Sequence, residues 1–300
     1  MAASVVLVHG AFHGGWCWTK VVDGLTAEGI EVVAVDLPGH GVDDPRPICG
    51  LHGDAAHVRE VLQETGGPIV LVGHSYGGAV ISEAGTGGLG DEVRPEVSHL
   101  VYLAAVVPDV GEGIGGATAD APPDAGEFTI TDAFVPNDDG TAIRVADEHV
   151  RAIFYHDCSD DDVAFAQERL TPQSTQSFAD TLEGAAWRDI PSTYILCTDD
   201  RTVPPSLQQL NAARTGTVLE IDALPDRMDL KDEHVRKAIE AGGKIVIDSD
   251  AHAVAHLGYP DDYGISVARR GWATARDVLN TLPVEKFLAG LKGSRKRRRP

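Results

Sequence analysis

The stretch Ile69-Val70-Leu71-Val72-Gly73-His74-Ser75-Tyr76-Gly77-Gly78 constrains this chain more than any other feature. A short apolar run leads directly into Gly73-x-Ser75-x-Gly77, and small residues follow it. The pattern predicts a strand, a sharp turn and a helix. A serine at the apex of such a turn is forced into strained backbone geometry, and the flanking glycines are required because a Cβ at either position would strike the neighbouring strand or helix. The turn lifts Ser75 Oγ clear of the sheet, where a nucleophile belongs.

The rest of the pattern agrees with that local reading. Apolar runs predict strands near 4–9, 31–36, 69–72, 99–105, 193–197 and 217–222, alternating with helical spacing near 17–28, 53–65, 76–86 and 205–214. This is the βα alternation of an α/β fold, a doubly wound and mostly parallel sheet covered on both faces. Between the fourth and fifth strands lies an insertion, about 107–190. Its first part is rich in Gly, Pro, Ala and Asp, and helical spacing follows at 146–155, 160–170 and 172–185. The insertion reads as a helical cap over the site. Phe128, Phe134, Phe154, Tyr155, Phe165, Phe178 and Trp187 are the aromatic side chains from which an apolar acyl or aryl pocket would be drawn.

A serine hydroxyl needs a base, an acid to orient that base, and donors for the oxyanion. The first strand ends at His9-Gly10-Ala11-Phe12-His13-Gly14-Gly15-Trp16, a Gly-rich turn suited to aiming a backbone N–H at the elbow. Ala11 N–H and Tyr76 N–H are therefore the candidate oxyanion hole. The His9 side chain reads as turn scaffolding, because it precedes the serine where the usual order is serine, acid, histidine. The run 193–197 is followed by Thr198-Asp199-Asp200-Arg201-Thr202-Val203-Pro204, which places a carboxylate at the carboxyl end of a strand. Asp200 is the chosen acid and Asp199 the alternative.

With these motifs in order, and with Asp36-Leu37-Pro38-Gly39-His40-Gly41 between them, residues 3–221 resemble the α/β-hydrolase superfamily, within it the small esterase and hydroxynitrile-lyase-like group. The resemblance implies Ser75 as nucleophile, Asp200 as triad acid and the Ala11 and Tyr76 N–H groups as oxyanion donors. It also implies a histidine near position 228. That position is Met228, and no histidine occurs between 158 and 233.

From about 218 to 292 the chain is instead similar to the carboxyl-terminal end of the PHP metallo-phosphoesterase domain of bacterial family X DNA polymerases. The resemblance is carried by Pro225-Asp226-Arg227-Met228-Asp229-Leu230, Lys244-Ile245-Val246-Ile247-Asp248-Ser249-Asp250-Ala251-His252 and Ala268-Arg269-Arg270-Gly271-Trp272. The chain thus reads as a chimera: a hydrolase domain over 1–221, a PHP-like segment over 222–292 and a basic tail over 293–300. In PHP domains Asp250 and His252 match late metal ligands, but the early ligands of that site are not encoded, so no metal and no cofactor are expected. The segment does offer a histidine in the right grammar. The run 244–248 is a short apolar strand followed within four residues by His252, the first candidate for the missing base, ahead of His256 and His234.

Composition limits the partners. With 46 acidic against 25 basic residues the formal charge is −21, which opposes binding to a phosphate backbone. Nucleic acid is not an expected partner, and no apolar run has the length of a membrane span. Cys17, Cys49, Cys158 and Cys197 lack metal-like spacing and read as thiols of a reducing compartment, the cytoplasm. The sequence thus predicts a serine hydrolase acting on a small uncharged carboxylic ester through an acyl-enzyme, impaired if no histidine replaces the usual one. The alternative is a catalytically dead fold that binds a small ligand or partner. A metal-dependent phosphoesterase ranks below both, and a lyase is disfavoured because Ala253 follows His252.

Overall fold

The computed structural model describes residues 3–86, 96–114, 130–215, 218–222 and 244–248, together with positions 235, 236, 239, 265, 268, 273, 274 and 278. The chain divides into two compact units, Met1–Thr215 and Gly216–Pro300.

In the first unit β1 (Ser4–Val8), α1 (Thr19–Ala27), β2 (Val32–Val35), α2 (Leu51–Thr65), β3 (Ile69–His74), α3 (Gly77–Ala84) and β4 (Val97–Leu103) follow one another. The insertion then contributes β5 (Phe134–Pro136), β6 (Ala142–Val145), α4 (Asp147–Phe154), α5 (Asp160–Gln167), β7 (Gln173–Ser174) and α6 (Gln176–Ala179). The unit closes with β8 (Ser192–Ile195) and α7 (Pro205–Arg214). The main sheet has the order β2-β1-β3-β4-β8 with every pair parallel. Its strands are β-branched and apolar runs because a parallel sheet is buried on both faces. Val6, Val8, Ile69, Leu71, Leu100 and Tyr102 lie in one core cluster with Leu51, Val58 and Leu62 of α2 and with Ala79, Val80, Ile81 and Ala84 of α3. Each such side chain contributes about 1.5–3 kcal/mol when removed from water. All eight residues of α3 are buried, which explains its small residues: a helix wedged against the centre of the sheet has no solvent face.

The insertion differs from the expected helical cap. β5, β6 and β7 form a three-stranded antiparallel sheet, and 172–185, read as helical, holds only the four-residue α6. Within this segment Gln173 and Ser174 pair with β6, and pairing to a neighbouring strand overrides the local spacing.

The second unit contains β9 (Val218–Asp222) and β10 (Lys244–Asp248), paired in parallel from Lys244 opposite Val218 to Asp248 opposite Asp222. A parallel bridge joins Ile245 to Val278. Val235, Ile245, Ile247, Ala268 and Val278 are buried together. The 217–222 run was expected to extend the main sheet. It forms a strand whose hydrogen-bonded neighbour is β10, and among the described residues the main sheet comprises β2, β1, β3, β4 and β8.

Candidate active site

Ser75 follows the last residue of β3 and has φ 51°, the left-handed region that a non-glycine residue seldom occupies. Its backbone is over-determined. The N–H donates to Leu103 O at 3.2 Å, and the carbonyl accepts from Gly78 N–H at 3.0 Å and Val106 N–H at 3.2 Å. The glycines around it are steric requirements. A Cβ on Gly73 would lie 2.5 Å from Gly77 O, and one on Gly77 would lie 2.7 Å from both Val8 O and His9 O. The elbow therefore presses against the end of β1, where a Cβ on Gly10 would lie 3.0 Å from Ser75 Cβ.

That contact brings the nucleophile and the Gly-rich loop after β1 together. His9 is fully buried, and its Nε2 accepts from Leu37 N–H at 3.1 Å. The proton therefore resides on Nδ1, which donates to Gly10 O at 2.8 Å. Because a trans peptide points its C=O and N–H in opposite directions, holding Gly10 O also fixes the direction of Ala11 N–H. His9 is scaffolding, as its position before the serine suggested. His13 repeats the device: Nδ1 donates to Ala11 O at 2.8 Å while Nε2 accepts from Tyr155 Oη at 2.7 Å. Burial holds the protonation of His9 well below the usual range and lowers that of His13. It lowers His40 and His74 to about 4, with the charge of His13 adding to both. His9 and His13 thus serve the loop as neutral imidazoles, each a fixed donor and acceptor.

Tyr76, whose N–H is the second oxyanion candidate, sends its side chain inward, and Oη donates to Asp54 Oδ2 at 2.7 Å. Asp54 is fully buried on α2 and its carboxyl is pushed up to about 7, first by burial. A signal for it existed in the sequence, since Asp54 interrupts the apolar stripe of Leu51, Ala55, Val58 and Leu62.

After β8, Asp200 Oδ1 accepts from Thr202 N–H at 2.7 Å and Val203 N–H at 2.9 Å, and Oδ2 accepts from Gln208 Nε2 at 3.1 Å. Gln208, fully buried on α7, also bonds both backbone groups of Cys197 and so ties the acid loop to its own strand. Asp199 faces elsewhere, with Oδ2 3.4 Å from His156 Nε2. Both oxygens of Asp200 are thus held within its own loop and by α7. Gln208 and His156 went unnoticed in the sequence, where nothing separates them from ordinary polar residues.

Phe134, Phe154, Tyr155 and Phe178 pack with Phe12 and Ala11, so four of the predicted aromatic residues form an apolar wall beside the loop. Phe165 is exposed against Trp16, and Trp187 packs on the main core with Nε1 donating to Pro108 O at 3.0 Å. Phe128 lies outside the described residues, as do His234, His252, Asp250 and His256.

A strained serine follows the central strand, a glycine loop lies against it and a held carboxylate follows β8; residues 5–263 match the family model described as alpha/beta hydrolase family. The chain belongs to the alpha/beta hydrolase family. Among relatives of this hydrolase, a pyrethroid hydrolase of Sphingobium wenxiniae is 33% identical over 217 residues, which cover 68% of this chain and 74% of the relative. Methylesterase 18 of Arabidopsis thaliana is 28% identical over 226 residues, covering 69% and 83%. A crystal structure of a pyrethroid hydrolase superposes with a TM-score of 0.62 at 25% identity, covering 91% of this chain and 98% of that one. The hydrolase is thereby placed among serine ester hydrolases. Among the described residues, no helix is long and apolar enough to cross a membrane.

Proposed function

We propose that this chain cleaves small, uncharged carboxylic esters through an acyl-enzyme on Ser75. Ser75 Oγ attacks the carbonyl carbon, and the Ala11 and Tyr76 N–H groups receive the oxyanion. Asp200 orients a histidine, for which we propose His252, that takes the hydroxyl proton and returns it to the leaving alcohol. Water then repeats the sequence to release the acid. The observation that carries this reading is the φ of 51° at Ser75, held by three backbone hydrogen bonds, because strain of this kind persists only where the surroundings over-determine it. The aromatic wall beside the loop favours an apolar acyl or aryl group, and the names of the relatives, a pyrethroid hydrolase and a methylesterase, fit that class.

One observation favours the second reading, a ligand-binding fold with lost catalysis. Among the described residues the main sheet has the order β2-β1-β3-β4-β8, and β9, read in the sequence as a further strand of the α/β alternation, pairs with β10. From the resemblance in the sequence alone we propose that the segment from 222 to 292 is a PHP-like graft; the alpha/beta hydrolase family model matches through residue 263. The thiols of Cys17, Cys49, Cys158 and Cys197 fit a reducing compartment, the cytoplasm.

A serine-directed fluorophosphonate and p-nitrophenyl acetate test the reading together. The chain should label and turn over the ester, and Ser75→Ala should abolish both while leaving the far-ultraviolet spectrum unchanged. Labelling that survives in Ser75→Ala would move the chemistry to another residue. No labelling of the parent would support the ligand-binding fold.

A further inference from the structure

Gln173 on β7 is fully buried, and a buried amide requires partners for both its oxygen and its nitrogen. Oε1 accepts from Phe12 N–H at 3.2 Å. Nε2 donates to Ser177 Oγ at 2.7 Å, which donates onward to Ser174 O at 2.6 Å. Two residues before Gln173, Thr171 N–H donates to Phe12 O at 2.9 Å. Both backbone polar groups of Phe12 are thus held by one segment of the insertion.

Phe12 needs holding. Its φ is 69°, and a bulky aromatic residue in that region is a genuine outlier, costing about 1–3 kcal/mol. Its N–H belongs to the peptide group whose carbonyl is Ala11 O, the acceptor of His13 Nδ1–H. That peptide plane is therefore fixed at both ends, by His13 and by Gln173. The plane before it is fixed by His9 through Gly10 O. Ala11 stands between two fixed planes, one secured by His9 and the other shared between His13 of the loop and Gln173 of the insertion.

We propose that Gln173 is a positioning residue for the oxyanion: by holding Phe12 N–H it keeps the Ala11 backbone in the conformation that aims Ala11 N–H at the reacting carbonyl oxygen. This rests on the reading of Ala11 N–H as an oxyanion donor. The insertion then does more than enclose the substrate, because its β7 sets the geometry of a donor in the loop after β1.

The test uses the full chain and two replacements. Gln173→Met keeps length and removes the acceptor, whereas Gln173→Glu keeps an acceptor for Phe12 N–H. Amide exchange over residues 9–16 reads the clamp directly. Turnover of p-nitrophenyl acetate and of its thiono analogue reads the donor, because sulfur accepts N–H bonds poorly and the preference for the oxygen ester reports the oxyanion hole. In Gln173→Met, exchange at Phe12 should accelerate and kcat should fall by about 10–100-fold with KM little changed. The preference for the oxygen ester should shrink by a similar factor, and Gln173→Glu should restore it to within about threefold. Unchanged exchange over β3 and α3 checks that the fold survives, and Ser177→Ala, which only loosens Gln173, gives a milder form of the same change if Gln173→Met does not fold. Unchanged exchange at Phe12 would overturn the clamp. Faster exchange with an unchanged ester preference would show that the clamp does not serve the donor, which also sinks the proposal. A parent without Ser75-dependent turnover would be recognised before any variant is made and would sink the hydrolase reading itself.

Discussion

Tyr76 Oη donates to Asp54 Oδ2 at 2.7 Å, so the residue next to the nucleophile is anchored to a carboxyl in the protein interior. The other oxygen, Oδ1, has no partner among the described residues. Burial raises this carboxyl to about 7, the hydrogen bond from Tyr76 opposes the rise, and the charge of Asp180 adds to it. The folded state therefore holds the proton more tightly than the unfolded chain, whose Asp titrates near 3.9. Stability from this group is complete below about 4 and is lost as the pH rises through about 7.

Asp54→Asn should remove that loss, since its carbonyl oxygen still accepts from Tyr76 while no charge develops. Its Tm should exceed that of the parent by more at pH 8 than at pH 5. Thermal melts at the two pH values decide it, and a difference independent of pH would mean that Asp54 does not titrate in this range.

The buried histidines act in the opposite direction. His9, His13, His40 and His74 are all held below the value of an unfolded histidine, first by burial. Their contribution to stability is complete above about 6.5 and is lost as the pH falls below it, for His40 and His74 toward about 4. Between these limits the losing histidines oppose the gaining Asp54. Urea midpoints measured from pH 7 to pH 4 should therefore fall more steeply in Asp54→Asn than in the parent. Parallel curves would contradict the assignment.

Glycine substitutions should separate the elbow from the periphery. Gly77→Ala forces a Cβ against Val8 O and His9 O, two backbone atoms that cannot yield cheaply, and should cost about 1–3 kcal/mol with loss of ester turnover. Gly24→Ala, in α1 with nothing within 4 Å of the added atom, should stabilise by about 0.5–1 kcal/mol. Denaturant midpoints of both variants test the contrast.

The elbow was legible in the sequence because its constraint is local: a serine in left-handed geometry needs glycines at fixed spacing, and the strand before it needs β-branched residues. The acid loop was legible for a similar reason, being an acidic pair after an apolar run. β5, β6 and β7 were not legible, since strands of two to four residues leave no period to read and exist through pairing with one another. Gln173 bonds a residue 161 positions away, and nothing near it in the chain announces that contact. The partner of β9 was a competition between two edges. An apolar strand ending in an acidic residue fits either, and β10 offered a full parallel register with an apolar cluster behind it.

The last prediction concerns the base, which the family places soon after the acid and this chain does not encode there. The grammar of strand followed by histidine recurs at β10, which ends four residues before His252. If His252 takes the proton from Ser75, His252→Ala should lower kcat by about 10⁴-fold, leaving the residual rate that oxyanion donors and binding supply on their own. KM should change little, because the imidazole acts in the transition state rather than in substrate binding. Acyl transfer of this kind requires no metal, so a chelator should leave the parent rate unchanged, whereas a strict requirement for zinc or manganese would favour a phosphoesterase role for Asp250 and His252. His256→Ala serves as the comparison, since a large loss there and none at His252 would transfer the role to the second candidate. A parent rate already near that residual level, and indifferent to both substitutions, would mean that the hydrolase lost its base where the two segments join.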